Sequence, residues 1–391
     1  MPRNQTLDLL RSIGIIHVVL FHVLHGLFRF VPEVSLSEVL SRYPFWMNFT
    51  WQPLGVDVIF MISAYLLSLG LLRDLDQKNS INLRAYYIRR VSRIIPLYYI
   101  AIIIFALAQQ NSMIEVIMAI CFVQFLITGQ AIVPVGWSME LMMLVYICLP
   151  AIIVLMMRFK NPLGWMYAAI TASLAIRFIP LAANPDQATV LFTHLLARNE
   201  VLPLAEDLYF RPWFRLTPFL LGIALAFFVS KYKDTMSLLI LTKQRRAALY
   251  TSAALLVYIA LFLPIHDPSA WIYAITTPIF WAFYWTLNGS AFALAACLIV
   301  IARHDKTNMR GPWAMISRNI MGIYLFHMPL ILVGAVVVFR STQKEALLHT
   351  TVWHVWGVFI VAITLSLAIS ALLTRFIETP IQMVLRRKMR L

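Results

Sequence analysis

"LDLLRSIGIIHVVLFHVLHG", residues 7–26, is apolar enough to be a membrane-spanning helix, yet it carries Arg11, His17, His22 and His25. Whether hydrocarbon is its solvent is decided by the rest of the chain. Of 391 residues, 61% are hydrophobic and 13% charged, against about a quarter charged in soluble domains. Apolar runs recur at about 7–28, 51–72, 94–108, 113–130, 137–157, 163–182, 212–230, 246–264, 272–302, 320–338 and 351–375. A hydrocarbon core of about 30 Å takes about 20 helical residues, so most of these runs are long enough to cross. The expected fold is all-α, a polytopic membrane helix bundle.

Thirty-two Lys and Arg against 17 Asp and Glu leave a net charge of +15. In a soluble chain this excess would suggest nucleic acid. Here it is concentrated in a few connections, as positive-inside topology requires. Residues 73–93, 158–160, 231–246, 303–310 and 386–390 are therefore predicted to be cytoplasmic, as are both termini, and no nucleic-acid partner is expected. Two ends on one side demand an even number of crossings, so eleven runs cannot all cross. The run 113–130 is short and interrupted by Glu115, Gln124 and Gly129. It is expected to be re-entrant or interfacial, leaving about ten transmembrane helices.

Cys121, Cys148 and Cys297 show no paired spacing, which predicts neither a disulfide framework nor a metal site. The first apolar helix is too long and too rich in polar groups for a cleavable signal. No hydrophilic block is large enough for a soluble domain, so residues 1–391 read as one membrane-embedded domain.

Arg11 and His22 are eleven positions apart, which at about 100° per residue puts them on one helix face about 16 Å apart. His25 continues that stripe approximately and His17 points away from it. Taken alone, the pattern also fits an arginine that snorkels or pairs with Asp8, and a histidine bonded to a neighbouring helix. Other runs carry ionisable groups too. "PLGVDVIFMISAYLL" places Asp57 about two turns from an outer end, and "YYIRRVSRIIPLYY" holds Arg90 and Arg93 before a span. "VGWSMELMMLVYICLP" sets Trp137, Ser138 and Glu140 near the outer surface, and "IYLFHMPLIL" puts His327 near mid-membrane. Ionisable residues inside spans are costly, and several in one protein indicate a functional site.

These pieces, in this order, resemble the acyltransferase family 3 membrane proteins, and the resemblance covers essentially the whole chain. They are Arg11 with His22; Gly55, Val56 and Asp57 with Phe60 and Ser63; Arg90 with Arg93; Trp137 and Ser138 with Tyr146 and Pro150; Tyr324, Leu325, His327 and Pro329; and Glu378 with Pro380. The chain departs from the family pattern twice. Ser63 is followed by Ala64 where the family commonly has Gly, predicting a looser approach of a neighbouring backbone. The family's frequent Glu five residues after the Trp is Met142 here, and the acid is Glu140.

The resemblance implies transfer of an acyl group, usually acetyl, from acetyl-CoA or another short acyl-CoA to a hydroxyl of a surface or exported carbohydrate or glycolipid. It implies an integral protein of the bilayer, in a bacterial cytoplasmic membrane. Under that reading Arg11, Arg84, Arg89, Arg90 and Arg93 face the anionic donor, arginine being well matched to phosphate. His22 is the expected base or transient acyl acceptor, with Asp57 or Glu140 holding its tautomer and His327 as a partner or oxyanion donor. A transporter or flippase would also bury such charges along a path, but no inverted repeat is visible.

Overall fold

The computed structural model describes residues 5–30, 54–184, 208–239, 242–262, 289–291, 294–295, 311–340 and 350–389. Among them every regular element is helical: α1 Gln5–Phe30, α2 Leu54–Lys78, α3 Leu83–Gln109, α4 Met113–Ile120, α5 Gln124–Thr128, α6 Gly136–Met157, α7 Pro162–Ala175, α8 Phe178–Ala183, α9 Thr217–Leu239, α10 Lys243–Phe262, α11 Pro312–Arg318, α12 Ile320–Phe339, α13 Val352–Leu373 and α14 Thr379–Met389. A 3₁₀ turn precedes α9 and a π-helical turn joins α13 to α14.

Seven of the described helical stretches are long and apolar enough to cross a membrane: Leu7–Leu24, Leu54–Lys78, Leu83–Gln109, Gly136–Met157, Pro162–Ala183, Ile320–Phe339 and Val352–Leu385. The expectation was about ten. Thr217–Tyr232 is apolar but shorter, and most of the run 272–302 lies outside the described residues. Large apolar side chains face outward on these helices, among them Leu107 and Trp353 at 76% and 79% exposure. Such a surface would be a liability in water and is the expected one against lipid.

The run 113–130 is two short helices. A capping box starts α4: Glu115 accepts from the Ser112 backbone N–H at 2.8 Å, while Ser112 Oγ accepts from the Glu115 N–H. Those hydrogen bonds hold the Glu115 carboxyl below its ordinary value, so this charge belongs to a helix start. Left-handed backbone at Phe122 (φ 59°) and Gly129 (φ 72°) interrupts and then ends the pair. Eight residues in α4 rise only about 12 Å, too little to cross.

Small residues set the closest helix contacts, as expected where lipid offers no hydrophobic drive for association. A Cβ on Gly55 would collide with the carbonyl oxygen of Gly14, so α2 starts against residues 14–18 of α1. A Cβ on Gly222 of α9 would likewise collide with the Met61 carbonyl and crowd Ala64. The looser approach expected from Ala64 is thus not found: α9 supplies the glycine that α2 lacks.

Asn82 caps α3 through Ala85 N–H at 2.9 Å, so that this helix starts within the basic connection. If the charge-based orientation is right, single cysteines at 78, 160 and 243 react with a membrane-impermeant maleimide only from the cytoplasm. Those at 186 and 267, which lie outside the described residues, react from the opposite side. Labelling of position 160 from outside would contradict it.

Candidate functional site

Arg90 and Arg93 are three apart on α3 and so share a helix face. With Arg11 of α1 they line a cavity of about 120 Å³ between α1, α2, α3, α6 and α12. Its remaining wall is mostly apolar and includes Phe60, Met142 and Tyr324, and among the described residues no carboxylate lines it. Arg90 lies 5.9 Å from the Tyr86 ring, and its Nε has no hydrogen-bond partner. Three guanidinium groups on the wall of one cavity suit an anion carrying several charges. Arg84 and Arg89 do not join them: both are exposed on α3 and absent from the cavity wall.

Tyr324 connects this cavity to a histidine pair. Its hydroxyl lies 2.6 Å from Ser138 Oγ, and its ring centroid lies 6.0 Å from that of His327. His327, fully buried, has Nδ1 2.7 Å from the Tyr324 carbonyl oxygen. A carbonyl only accepts, so His327 Nδ1 carries the hydrogen and its Nε2 is the lone-pair nitrogen. His22 Nδ1 lies 2.9 Å from the Val18 carbonyl and 3.1 Å from His327 Nε2. Both are acceptors, so His22 Nδ1 also carries the hydrogen. The tautomer follows from the network: His22 Nε2 has the lone pair and is the nitrogen able to take a proton. His17, although off the Arg11–His22 stripe, is also buried, because α1 is packed on several sides. The side chain of His25 lies outside what is described.

The two carboxylates expected to orient His22 have other partners. Asp57 Oδ1 accepts from Arg215 Nη2 at 2.6 Å, and neither side chain is exposed. With α2 starting against residues 14–18 of α1, Asp57 sits about 10 Å along the axis from His22. Glu140 accepts from the backbone N–H groups of Phe125 and Leu126, at 2.9 and 3.2 Å, at the start of α5. It ties the broken segment to α6. Nor does α6 start at a surface, since Gly136 to Leu141 are all buried. Glu378, in the π-helical turn, accepts from Gln382 at 2.8 Å.

Two buried cations escaped the sequence reading. Arg215 lies 4.8 Å from the Tyr209 ring and 5.7 Å from the Trp137 ring. Arg177, at the break between α7 and α8, donates to the carbonyls of Phe214 and Leu208 at 2.8 and 3.1 Å. Both stand inside or at the edge of apolar runs, 163–182 and 212–230, so the signal of a charge in a span was present.

Comparison with known proteins bears on this geometry. The profile of a protein family described as "Acyltransferase domain" matches residues 4–375. The peptidoglycan O-acetyltransferase OatA of Listeria monocytogenes serovar 1/2a is 30% identical over 82 residues, 19% of this chain and 13% of that protein. The O-acetyltransferase OatA of Staphylococcus aureus (strain NCTC 8325 / PS 47) is 24% identical over an alignment of 390 residues, 90% of this chain. The match takes in 57% of that relative, so the chain spans little more than half its length. No solved structure matches the chain.

Proposed function

Because the chain belongs to the acyltransferase domain family, we propose that it is a membrane O-acyltransferase that moves an acetyl or similarly short acyl group from acyl-CoA to a carbohydrate hydroxyl. The observation that carries this reading is that Tyr324, on the wall of the arginine-lined cavity, has its ring beside His327, which is hydrogen-bonded to His22. Arg11, Arg90 and Arg93 hold the phosphates of the donor, as their charge and fork geometry favour. His22 Nε2 accepts the proton of the acceptor hydroxyl as its oxygen attacks the thioester carbonyl. The new C–O bond replaces the C–S bond, and the proton passes from His22 to the leaving thiolate. His327 Nε2 accepts from His22 Nδ1–H, holding the ring in the productive tautomer and sharing the charge that His22 acquires. The staphylococcal and listerial relatives are named as O-acetyltransferases, the latter for peptidoglycan, which supports a glycan acceptor. The charge pattern supports placing the arginine end on the cytoplasmic side, where acyl-CoA is made, in a bacterial cytoplasmic membrane.

Arg90→Ala and Arg93→Ala are expected to raise the KM for acetyl-CoA by about tenfold or more, the value of a charge-assisted hydrogen bond. Lysine is expected to rescue only part of the loss, because it lacks the fork. Unchanged donor affinity in both alanine variants would remove these arginines from the donor site.

A further inference from the structure

The direction of one hydrogen bond decides what Tyr324 offers the cavity. Ser138 Oγ lies 2.7 Å from the Val135 carbonyl oxygen and 2.6 Å from the Tyr324 hydroxyl oxygen. A carbonyl only accepts, so the single hydroxyl hydrogen of Ser138 points at Val135. Were it turned to Tyr324, the serine and carbonyl oxygens would face each other at 2.7 Å with no hydrogen between them. The Tyr324 O–H therefore donates to Ser138, and the Tyr324 oxygen keeps lone pairs able to accept. Among the described residues, Ser138 is the one hydrogen-bond partner of this oxygen.

The place of this acceptor follows from α12 and α6. Ile320, Met321 and Tyr324 of α12 line the cavity, and His327 comes three residues after Tyr324, on the same helix face. Tyr324 is thus the part of the wall on α12 next to the histidine pair. The basic end lies elsewhere. Arg90 stands against the Tyr86 ring, and the Tyr86 O–H donates to the Tyr146 carbonyl at 3.1 Å. Tyr146 and Ser138 are eight residues apart on α6, about 12 Å along the axis. The arm that joins the phosphates of CoA to its sulfur carries amide N–H groups, and an N–H taken from water into an apolar cavity is costly without an acceptor. Guanidinium groups cannot supply one, because they only donate. The amide nearest the sulfur is separated from it by a single ethylene link. Held at Tyr324, that amide leaves the thioester beside His327 and His22.

We propose that Tyr324 is a positioning residue for the donor, its hydroxyl oxygen accepting the N–H of the amide nearest the thioester of acyl-CoA. Val135 and Ser138 fix the direction of the hydroxyl and so keep Tyr324 an acceptor. This inference rests on the acyl-transfer reading and adds to it how the reactive end of the donor is set beside His22.

The test measures binding to the full chain in lipid nanodiscs, without acceptor, of acetyl-CoA and of its analogue with a methylene in place of that amide N–H. The unmodified protein is expected to bind the analogue at least about fivefold more weakly, the value of one hydrogen bond. Tyr324→Phe keeps the ring, lowers acetyl-CoA affinity by a similar factor and binds the two probes within about twofold of each other. Ser138→Ala frees the Tyr324 hydroxyl to turn round and shrinks the same preference, which supplies the readout if Tyr324→Phe does not accumulate in the membrane. Arg90→Ala weakens both probes together and keeps their ratio, as the loss of a phosphate contact does. Equal binding of the two probes by the unmodified protein overturns the assignment, as does a preference that survives in Tyr324→Phe or is undiminished in Ser138→Ala. Failure of acetyl-CoA itself to bind the unmodified protein would instead count against the donor site of Arg11, Arg90 and Arg93.

Discussion

Replacing His22 by glutamine or alanine abolishes measurable acyl transfer, a loss of about 10²- to 10⁴-fold, the usual worth of a general base. The expectation rests on the hydrogen-bond chain from His22 Nδ1 to Val18 and His327, which assigns the lone pair to Nε2. Glutamine keeps a polar group on the helix but cannot take a proton at neutral pH. His327 acts through His22, so it is a positioning residue. His327→Ala lowers kcat by at least about tenfold with the KM for acetyl-CoA unchanged, and His327→Gln, which keeps an acceptor in place, recovers part of it. His17 supplies the control, being buried on the same helix outside this pair: His17→Ala keeps most of the activity. Assays of membranes with matched protein levels check all five variants. More than about a tenth of normal activity in His22→Gln is too small a loss for a general base and would move the reaction centre elsewhere.

Asp57→Ala produces the largest loss of stability, about 3–5 kcal/mol, because it leaves the guanidinium of Arg215 without its carboxylate in a buried setting. Removing both members costs less than removing one, since the uncompensated charge goes with its partner. In detergent-stable thermal unfolding, Asp57→Ala with Arg215→Ala is therefore expected to melt above Asp57→Ala alone. Equal melting of the single and double variants would show that the pair does not govern the folding of this region.

The membrane class, the basic connections and the broken segment 113–130 were legible because hydropathy, charge and helix length act locally along the chain. The stripe from Arg11 to His22 was legible for the same reason, since helical periodicity places residues eleven apart on one face. Which residue faces which across the bundle was not. Asp57 meets Arg215 across 158 positions, a separation over which one sequence carries no pairing signal. Glu140 looked like an active-site acid because it follows Trp137 and Ser138, but its oxygens serve backbone N–H groups that become visible only once α5 is folded back on α6. Burial was misjudged by assuming that each span starts at an exposed end. The starts of α2 and α6 are buried among other helices, which carries Asp57 and Ser138 inward and leaves His327 as the partner of His22. Arg84 and Arg89 were grouped with Arg90 and Arg93 by sequence proximity, yet the helix turns the former outward.

The most direct measurement is transfer of radiolabel from acetyl-CoA by the purified full chain in nanodiscs, supplied with glycan extracted from the cell envelope of its host. The expected result is label in the carbohydrate as a base-labile ester, with release of free CoA thiol, and loss of both when His22 is replaced by glutamine. Label that never reaches carbohydrate, or equal transfer by the His22→Gln protein, would contradict an acyl transfer run from this histidine pair.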